Sequence, residues 1–255
     1  MVLPAKSFLK LLMIKNLKIL MAYVSVFLLM LSNSSCSNSN FDIIIVGGGT
    51  SGIASAIQSS RLGSKTLLIE ESNWLGGMMT SAGVSAMDGN YKMPSGFLKE
   101  FRDSLVSHYG HLDSLKTGWV SNLMFEPSIG NRILKDIAGS EKNLTILYGT
   151  TIDKVVKDKK FTLKTKENSV TYKSKILIDA TELGDLIPKL NLPYFIGMDS
   201  SKRFKEDIAP EFSNDIVQDL TYVMILKDFG KPMTINQPKN YNKNEFICSY
   251  DSGEC

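Results

Sequence analysis

Residues 41–52 read F-D-I-I-I-V-G-G-G-T-S-G, and this stretch decides the fold. The four branched aliphatic residues 43–46 predict a strand that is buried on both faces, as in a parallel sheet. Three glycines follow at the spacing G-x-G-x-x-G, and residues 53–62 have the alanine-rich, aliphatic composition of a helix. Strand, glycine turn and helix in this order predict the start of a dinucleotide-binding unit.

The glycine turn is expected to hold the pyrophosphate of a dinucleotide. Gly47 permits the tight turn, Gly49 lets the backbone approach the pyrophosphate, and Gly52 lets the helix pack closely against the strand. The free N–H groups and the positive dipole end of the helix favour an anion at this position. The predicted contacts are Gly47, Gly48, Gly49, Thr50, Ser51 and Gly52.

A carboxylate is expected to bind the ribose of the same cofactor. Residues 65–70 (K-T-L-L-I-E) predict a second parallel strand, and Glu70 ends it about twenty residues after the glycines. At that position a carboxylate accepts hydrogen bonds from ribose hydroxyls, and it would repel a 2′-phosphate. Glu71 is expected to be solvated.

The amino-terminal 36 residues have the pattern of an export signal. Four lysines precede an apolar run at 19–31, which is too short to span a bilayer comfortably. Cys36 follows small residues and precedes the polar tether 37–40, an arrangement that resembles a bacterial lipoprotein site, although Asn33 departs from that pattern. Lipidation at Cys36 and export to the periplasm or cell surface are the prediction. Plain cleavage near Ser35 and a retained anchor stay open.

Composition excludes several other classes. The formal net charge of +3 falls to −1 without the four leader lysines, which gives no support for nucleic-acid binding or a basic membrane-facing surface. The only histidines, His108 and His111, are expected at a solvated helix end and not at a metal site. Cys248 and Cys255 could pair or remain free thiols. The sequence contains no G-x-S-x-G motif.

The second half of the chain alternates apolar and charged residues. Residues 151–157, 160–166 and 169–173 predict a three-stranded antiparallel meander, with lysines on its solvated face and no ligand assigned to them. A further aliphatic strand then begins at Lys175 and stops in the run D-A-T-E-L-G-D. Helices are predicted at 94–108, with Arg102 on the solvent face, and at 126–138, and a strand at 143–148.

The runs G-G-G-T-S-G, L-L-I-E, W-L-G-G-M-M-T and D-A-T-E-L-G-D jointly resemble bacterial FAD-dependent oxidoreductases with a glutathione-reductase-like fold. The resemblance implies FAD as cofactor and an α/β, Rossmann-like FAD-binding domain whose parallel sheet carries the meander as an insert. Glu182 stands where many flavoproteins have glycine. By resemblance, further cofactor contacts are Gly76, Gly77, Thr80, the backbone at Ile152, Ala180, Thr181, Gly184 and Asp185.

This resemblance also suggests boundaries. We expect a FAD-binding domain at 41–198 and the start of a substrate domain at 199–255. Because related proteins continue further, the sequence is interpreted as an amino-terminal fragment, with catalytic residues unknown. The predicted function is an exported oxidoreductase that transfers a hydride or electron pair between a small organic substrate and FAD. The alternatives are a non-catalytic surface lipoprotein with a remnant nucleotide-binding fold and an NAD-dependent dehydrogenase.

Overall fold

The computed structural model describes residues 39–117, 121–167, 170–218, 223 and 228–246 of the chain. The predicted leader with Cys36 and the two carboxyl-terminal cysteines lie outside the described residues. The run 218–229, whose sequence predicts a strand, also lies mostly outside them. Among the described residues, no helix combines the length and the apolar character needed to cross a bilayer.

Six strands and five α-helices carry the fold of the described part. The strands are β1 Ser39–Val46, β2 Thr66–Ile69, β3 Leu144–Leu147, β4 Ile152–Lys157, β5 Phe161–Thr165 and β6 Thr171–Asp179. The helices are α1 Thr50–Arg61, α2 Gly96–Tyr109, α3 Pro127–Gly139, α4 Leu186–Lys189 and α5 Ser201–Phe204. Short 3₁₀ turns lie at Gly77–Met79, Leu112–Leu115 and Lys243–Phe246.

The strands form one sheet in the order β3-β2-β1-β6-β5-β4. The first four are parallel: β1 lies between β2 and β6, and β3 pairs with the outer edge of β2. β4, β5 and the start of β6 pair antiparallel. This topology confirms the predicted α/β fold with a parallel sheet and a meander insert. It also brings the carboxyl ends of β1, β2 and β6 to one edge, where such sheets bind ligands.

Both faces of the parallel sheet are covered, as the aliphatic run predicts. Ile45 of β1 and Leu68 of β2 pack into a core formed with α1, α2 and α3. Their neighbours Ile44 and Leu67 face the opposite core, which the meander completes. Because successive side chains of a strand point to opposite faces, a strand covered on both sides must be apolar throughout.

Two local expectations were wrong. The third meander strand and the following parallel strand are one continuous element, β6, whose first residues pair with β5 while its length pairs with β1. A single strand can serve both neighbours because its two edges bond independently. Arg102 does not lie on a solvent face: its side chain is 14% exposed and donates hydrogen bonds to the carbonyl oxygens of Tyr91 and Met93. Tyr91 and Met93 lie in a loop and not in a strand, so their carbonyl oxygens are not paired within a sheet.

The chain divides into two compact units, Met1–Thr221 and Tyr222–Cys255. The first contains the sheet and the helices. Within the second, the described residues are 223 and 228–246, with the 3₁₀ turn at Lys243–Phe246. The domain boundary predicted after residue 198 stays a prediction.

Candidate cofactor site

The three glycines of the turn differ in what surrounds them. Gly47 has φ +97°, and a methyl group added there would overlap the carbonyl of Ala180. A methyl group at Gly52 would overlap the carbonyl oxygen of Gly47. At Gly49, by contrast, nothing lies within 4 Å of an added Cβ. Packing inside the protein therefore explains Gly47 and Gly52, whereas at Gly49 the open space belongs to the cavity.

The Gly76-Gly77 segment is tied to this turn. The N–H of Gly76 donates to the carbonyl of Gly48 at 2.8 Å, and the Thr50 hydroxyl donates to the carbonyl of Gly76 at 3.2 Å. Gly76 has φ +108° and Gly77 φ +51°, a region that favours glycine. Thr80 is 2% exposed and donates its hydroxyl to the carbonyl of Leu75 at 2.6 Å. Its observed contact therefore stabilises the glycine segment.

Glu70 is held by backbone on both of its oxygens. Oε2 accepts from the N–H of Gly48 at 2.6 Å, and Oε1 accepts from the N–H of Ser72 at 2.8 Å. The side chain is largely buried yet lines the cavity. Each carboxylate oxygen can accept a second hydrogen bond, so ribose hydroxyls could still donate to it. The N–H of Gly48, in contrast, is already used by Glu70.

Burial, and then the charge of Glu70, raise the pKa of the nearby Tyr148 phenol. Both causes favour the neutral phenol, because burial and a neighbouring carboxylate each oppose a second negative charge. The Tyr148 phenol therefore stays neutral at neutral pH.

Asp179, at the end of β6, organises the loop that follows. Its Oδ1 accepts from the backbone N–H and the hydroxyl of Thr181 at 3.1 and 2.7 Å, and its Oδ2 accepts from the N–H of Leu186 at 3.0 Å. The hydroxyl oxygen of Thr181 accepts in turn from the N–H of Asp185. The sequence prediction assigned the loop residues as contacts but overlooked Asp179. Its position directly before the small residues could have identified it.

These elements enclose a cavity of about 450 Å³ at the carboxyl edge of the sheet. Its lining includes eight of the predicted contacts: Gly47, Gly49, Glu70, Gly77, Ile152, Ala180, Thr181 and Asp185. The other seven do not line it: Gly48, Thr50, Ser51, Gly52, Gly76, Thr80 and Gly184. Several of the second group instead form the turn, its helix and the Gly76 bridge, and their roles as cofactor contacts stay predictions.

The prediction also missed part of the lining. Thr150 and Thr151 precede the meander, Lys166 directly follows its second strand, and Lys189 lies on α4. Glu71, expected to be solvated, lines the cavity as well. No local motif marks these residues, because the cavity joins segments that are distant from one another in sequence.

The charges of the lining suit a cofactor bound by backbone. Four carboxylates, Glu70, Glu71, Glu182 and Asp185, face two lysines, Lys166 and Lys189. A pyrophosphate therefore depends on the first N–H groups and dipole of the twelve-residue helix α1. The open space at Gly49 provides the close approach that such a group requires, so the residues present fit a dinucleotide.

The family described as FAD dependent oxidoreductase matches residues 42–250. The chain belongs to this family. Its cofactor is accordingly FAD. Leghemoglobin reductase from Vigna unguiculata is 28% identical over 159 residues, which are 62% of this chain and 30% of that protein. The chain thus spans about a third of that curated relative.

Solved structures with a similar arrangement include two enzymes. Thioredoxin reductase from T. acidophilum matches with a TM-score of 0.37 and 21% identity, covering 56% of this chain and 36% of that one. The p-nitrophenol 4-monooxygenase from Pseudomonas putida DLL-E4 matches with a TM-score of 0.45 and 12% identity, covering 63% and 46%.

Proposed function

We propose that the chain is an exported flavoprotein oxidoreductase that transfers a hydride or electron pair between a small organic substrate and FAD. The single observation that carries the cofactor site is the contrast among the glycines, because only Gly49 of the motif opens onto the cavity without a protein neighbour. When bound, FAD supplies the redox chemistry, and the protein binds and orients it.

Each part of the cavity has a role in this proposal. Glu70 accepts hydrogen bonds from the ribose, and the start of α1 binds the pyrophosphate. The Asp179 network fixes Thr181 and Asp185 at the cavity wall, where they can bind the remainder of the cofactor. Family membership and the match between these residues and the cavity support the assignment.

Gly49→Ala tests the site. The added methyl group meets no protein atom, and replacing glycine at a helix N-cap costs about 1 kcal/mol or less of folding stability. FAD retention should fall sharply because the methyl group enters the cavity. The measurement is flavin absorbance per chain after reconstitution and gel filtration, with circular dichroism as the check on folding.

Gly139→Ala is the matched control, since its Cβ also meets nothing within 4 Å and the residue lies at the end of α3, outside the cavity lining. It should retain FAD like the wild type. Stoichiometric FAD in the Gly49→Ala variant would overturn the site, and wild-type binding of NAD in place of FAD would overturn the cofactor. Reduction of a dye by the reconstituted chain, with organic donors, separates an oxidoreductase from a non-catalytic surface protein.

We also propose that Cys36 carries a lipid anchor. The basic leader, the short apolar run and the polar tether 37–40 support it. Cells grown with a labelled fatty acid should label the wild-type chain but not Cys36→Ala. Absence of label on the wild type would remove the anchor without affecting the cofactor proposal.

A further inference from the structure

Positive charge is concentrated in the meander. Residues 151–175 contain eight lysines and three carboxylates, whereas the rest of 36–255 contains 17 basic and 23 acidic side chains. The near-neutral charge of the whole body therefore averages two regions of opposite sign. A net charge describes solubility and long-range attraction, but a local patch of one sign can still bind a partner of the other sign.

The register places three of these lysines on one face. Lys154 pairs directly with Lys164, and Lys164 pairs with Thr171, two residues before Lys173. The alternate residues Val155 and Leu163 are buried beneath them. Paired residues share a face, so Lys154, Lys164 and Lys173 point outward together; they are called the lysine face below.

This arrangement costs stability unless an anion is present. Like charges directly opposite each other on neighbouring strands destabilise a sheet. Among the described residues, none of the three lysines has a carboxylate within ion-pair distance, whereas Lys175 nearby pairs with Asp42 at 2.9 Å. That pairing lowers the pKa of the Asp42 carboxyl, first through its hydrogen bond from Lys175. The lysine face thus carries unneutralised charge.

The lysine face lies beside Ser39, the first residue that the structure describes. In the parallel pairing of β1 with β6, Ser39 is opposite Tyr172 and Asn40 is opposite Lys173. Cys36 precedes Ser39 by three residues, and three residues span at most about 11 Å. Any group attached to Cys36 must therefore remain close to Lys173. The charged surface and the predicted lipid site are neighbours because of the register, although more than 130 residues separate them in sequence.

We propose that the lysine face binds the anionic phospholipid headgroups of the membrane to which the chain is anchored. This inference rests on the proposed lipid anchor, which would place the lysine face at a membrane. The positive charge of the lysines is the reason for choosing anionic headgroups as the partner. An acyl chain combined with a basic patch anchors a protein more firmly than one acyl chain alone. None of the three lysines lines the cavity, and Gly47 lies eight residues beyond Ser39 along β1, about 26 Å away.

The test compares charge-reversed variants of the full chain on vesicles. The variant Lys154→Glu/Lys164→Glu/Lys173→Glu is mixed with phosphatidylcholine vesicles that contain or lack phosphatidylglycerol. Each lysine near an anionic surface contributes about fivefold in affinity, so the triple variant, which also adds three negative charges, should lose at least on the order of 100-fold of its binding to anionic vesicles. Binding to neutral vesicles should not change, since the leader is common to all variants, and added salt should weaken the wild type.

The control Lys92→Glu/Lys142→Glu/Lys239→Glu makes the same change of charge at three exposed positions outside the meander. It should bind anionic vesicles like the wild type within a few-fold. Equal losses in both triple variants would overturn the lysine face, since only net charge would then matter. The variant Lys154→Gln/Lys164→Gln/Lys173→Gln removes the positive charges without adding carboxylates, and it should also lose binding to anionic vesicles. Unchanged binding of this variant would overturn the lysine face as well.

The outcomes separate this inference from the proposals beneath it. FAD content is measured on the same samples, and its loss would count against the cofactor site alone. A chain without fatty-acid label that still binds anionic vesicles through the three lysines would keep the lysine face and lose the anchor. Tighter binding to a DNA duplex than to anionic vesicles, abolished in the triple variant, would assign the face to nucleic acid and overturn the membrane proposal.

Discussion

The glycine turn follows one end of β1, and at the other end Asn40 lies opposite Lys173 of the lysine face. The turn is part of the fold: a methyl group at Gly52 overlaps the carbonyl of Gly47, and Glu70 bonds the Gly48 N–H. The lysines of the lysine face touch no carboxylate among the described residues. The confined backbone of the turn therefore cannot be altered without affecting the stability of the fold. The exposed lysine side chains can be altered without that effect.

That difference predicts opposite responses to substitution. Changes at the confined glycines of the turn, Gly47 and Gly52, should destabilise the protein even in the absence of cofactor. Changes on the lysine face should leave stability intact or improve it, because they remove repulsion. Three substitutions test this contrast, in decreasing order of expected effect.

Gly52→Ala should have the largest effect. The added methyl group overlaps a backbone carbonyl oxygen, which cannot move aside like a flexible side chain, so we expect a loss of about 3 kcal/mol in the free energy of unfolding. Urea denaturation of the FAD-free chain measures it. Gly139→Ala, where the space is open, should change stability by about 1 kcal/mol or less. A Gly52→Ala variant as stable as the wild type would show that α1 can shift away from the turn.

Glu70→Gln should have an intermediate effect. The glutamine keeps one acceptor oxygen, so the N–H of either Gly48 or Ser72 faces an amide NH₂ group and loses its partner. An unsatisfied buried donor costs about 1–3 kcal/mol, which thermal unfolding of the FAD-free chain would detect. Glu71→Gln provides the control, because that exposed carboxylate also lines the cavity. If both variants melt alike, Glu70 does not stabilise the turn.

Lys154→Glu should have the smallest effect, and of the opposite sign. It converts the Lys154–Lys164 repulsion into an attraction, which should stabilise the chain by about 0.2–1 kcal/mol. Differential scanning calorimetry should show a raised Tm that declines with added salt. Lys142→Glu, an exposed lysine outside the strands, should leave Tm unchanged. A lower Tm in Lys154→Glu would mean that the lysine has a stabilising contact.

Much of the fold follows from local pattern. The apolar run at Ile43–Val46 required cover on both faces, and the alternation after Thr151 required a sheet with one wet face. Both expectations agree with the structure, within one to three residues at most element ends. The merging of two predicted strands into β6 could not be foreseen. Ser174, the one residue between the two predicted strands, is compatible both with a break and with a continuous strand.

The site was less completely predictable. The glycines and Glu70 can be recognised from their spacing in the sequence, because the turn and the end of the second strand lie next to each other in any such unit. Thr150, Lys166 and Lys189 do not, because they line the cavity through contacts between distant segments. Asp179 was missed for a different reason. It accepts hydrogen bonds within the loop that follows it, and in the sequence an aspartate at this position looks like an ordinary strand end.

The sequence by itself determined the strand–glycine–helix unit, the meander and the family, because these depend on residue types at short fixed spacings. Only the tertiary structure decided which glycine of the motif has open space beside it and which are confined by packing. It alone also placed Lys173 beside Asn40, and so set the lysine face next to the residues that follow Cys36. The physical reason is strand register: pairing in a sheet brings distant segments within one strand spacing, about 4.8 Å, without any trace in local sequence.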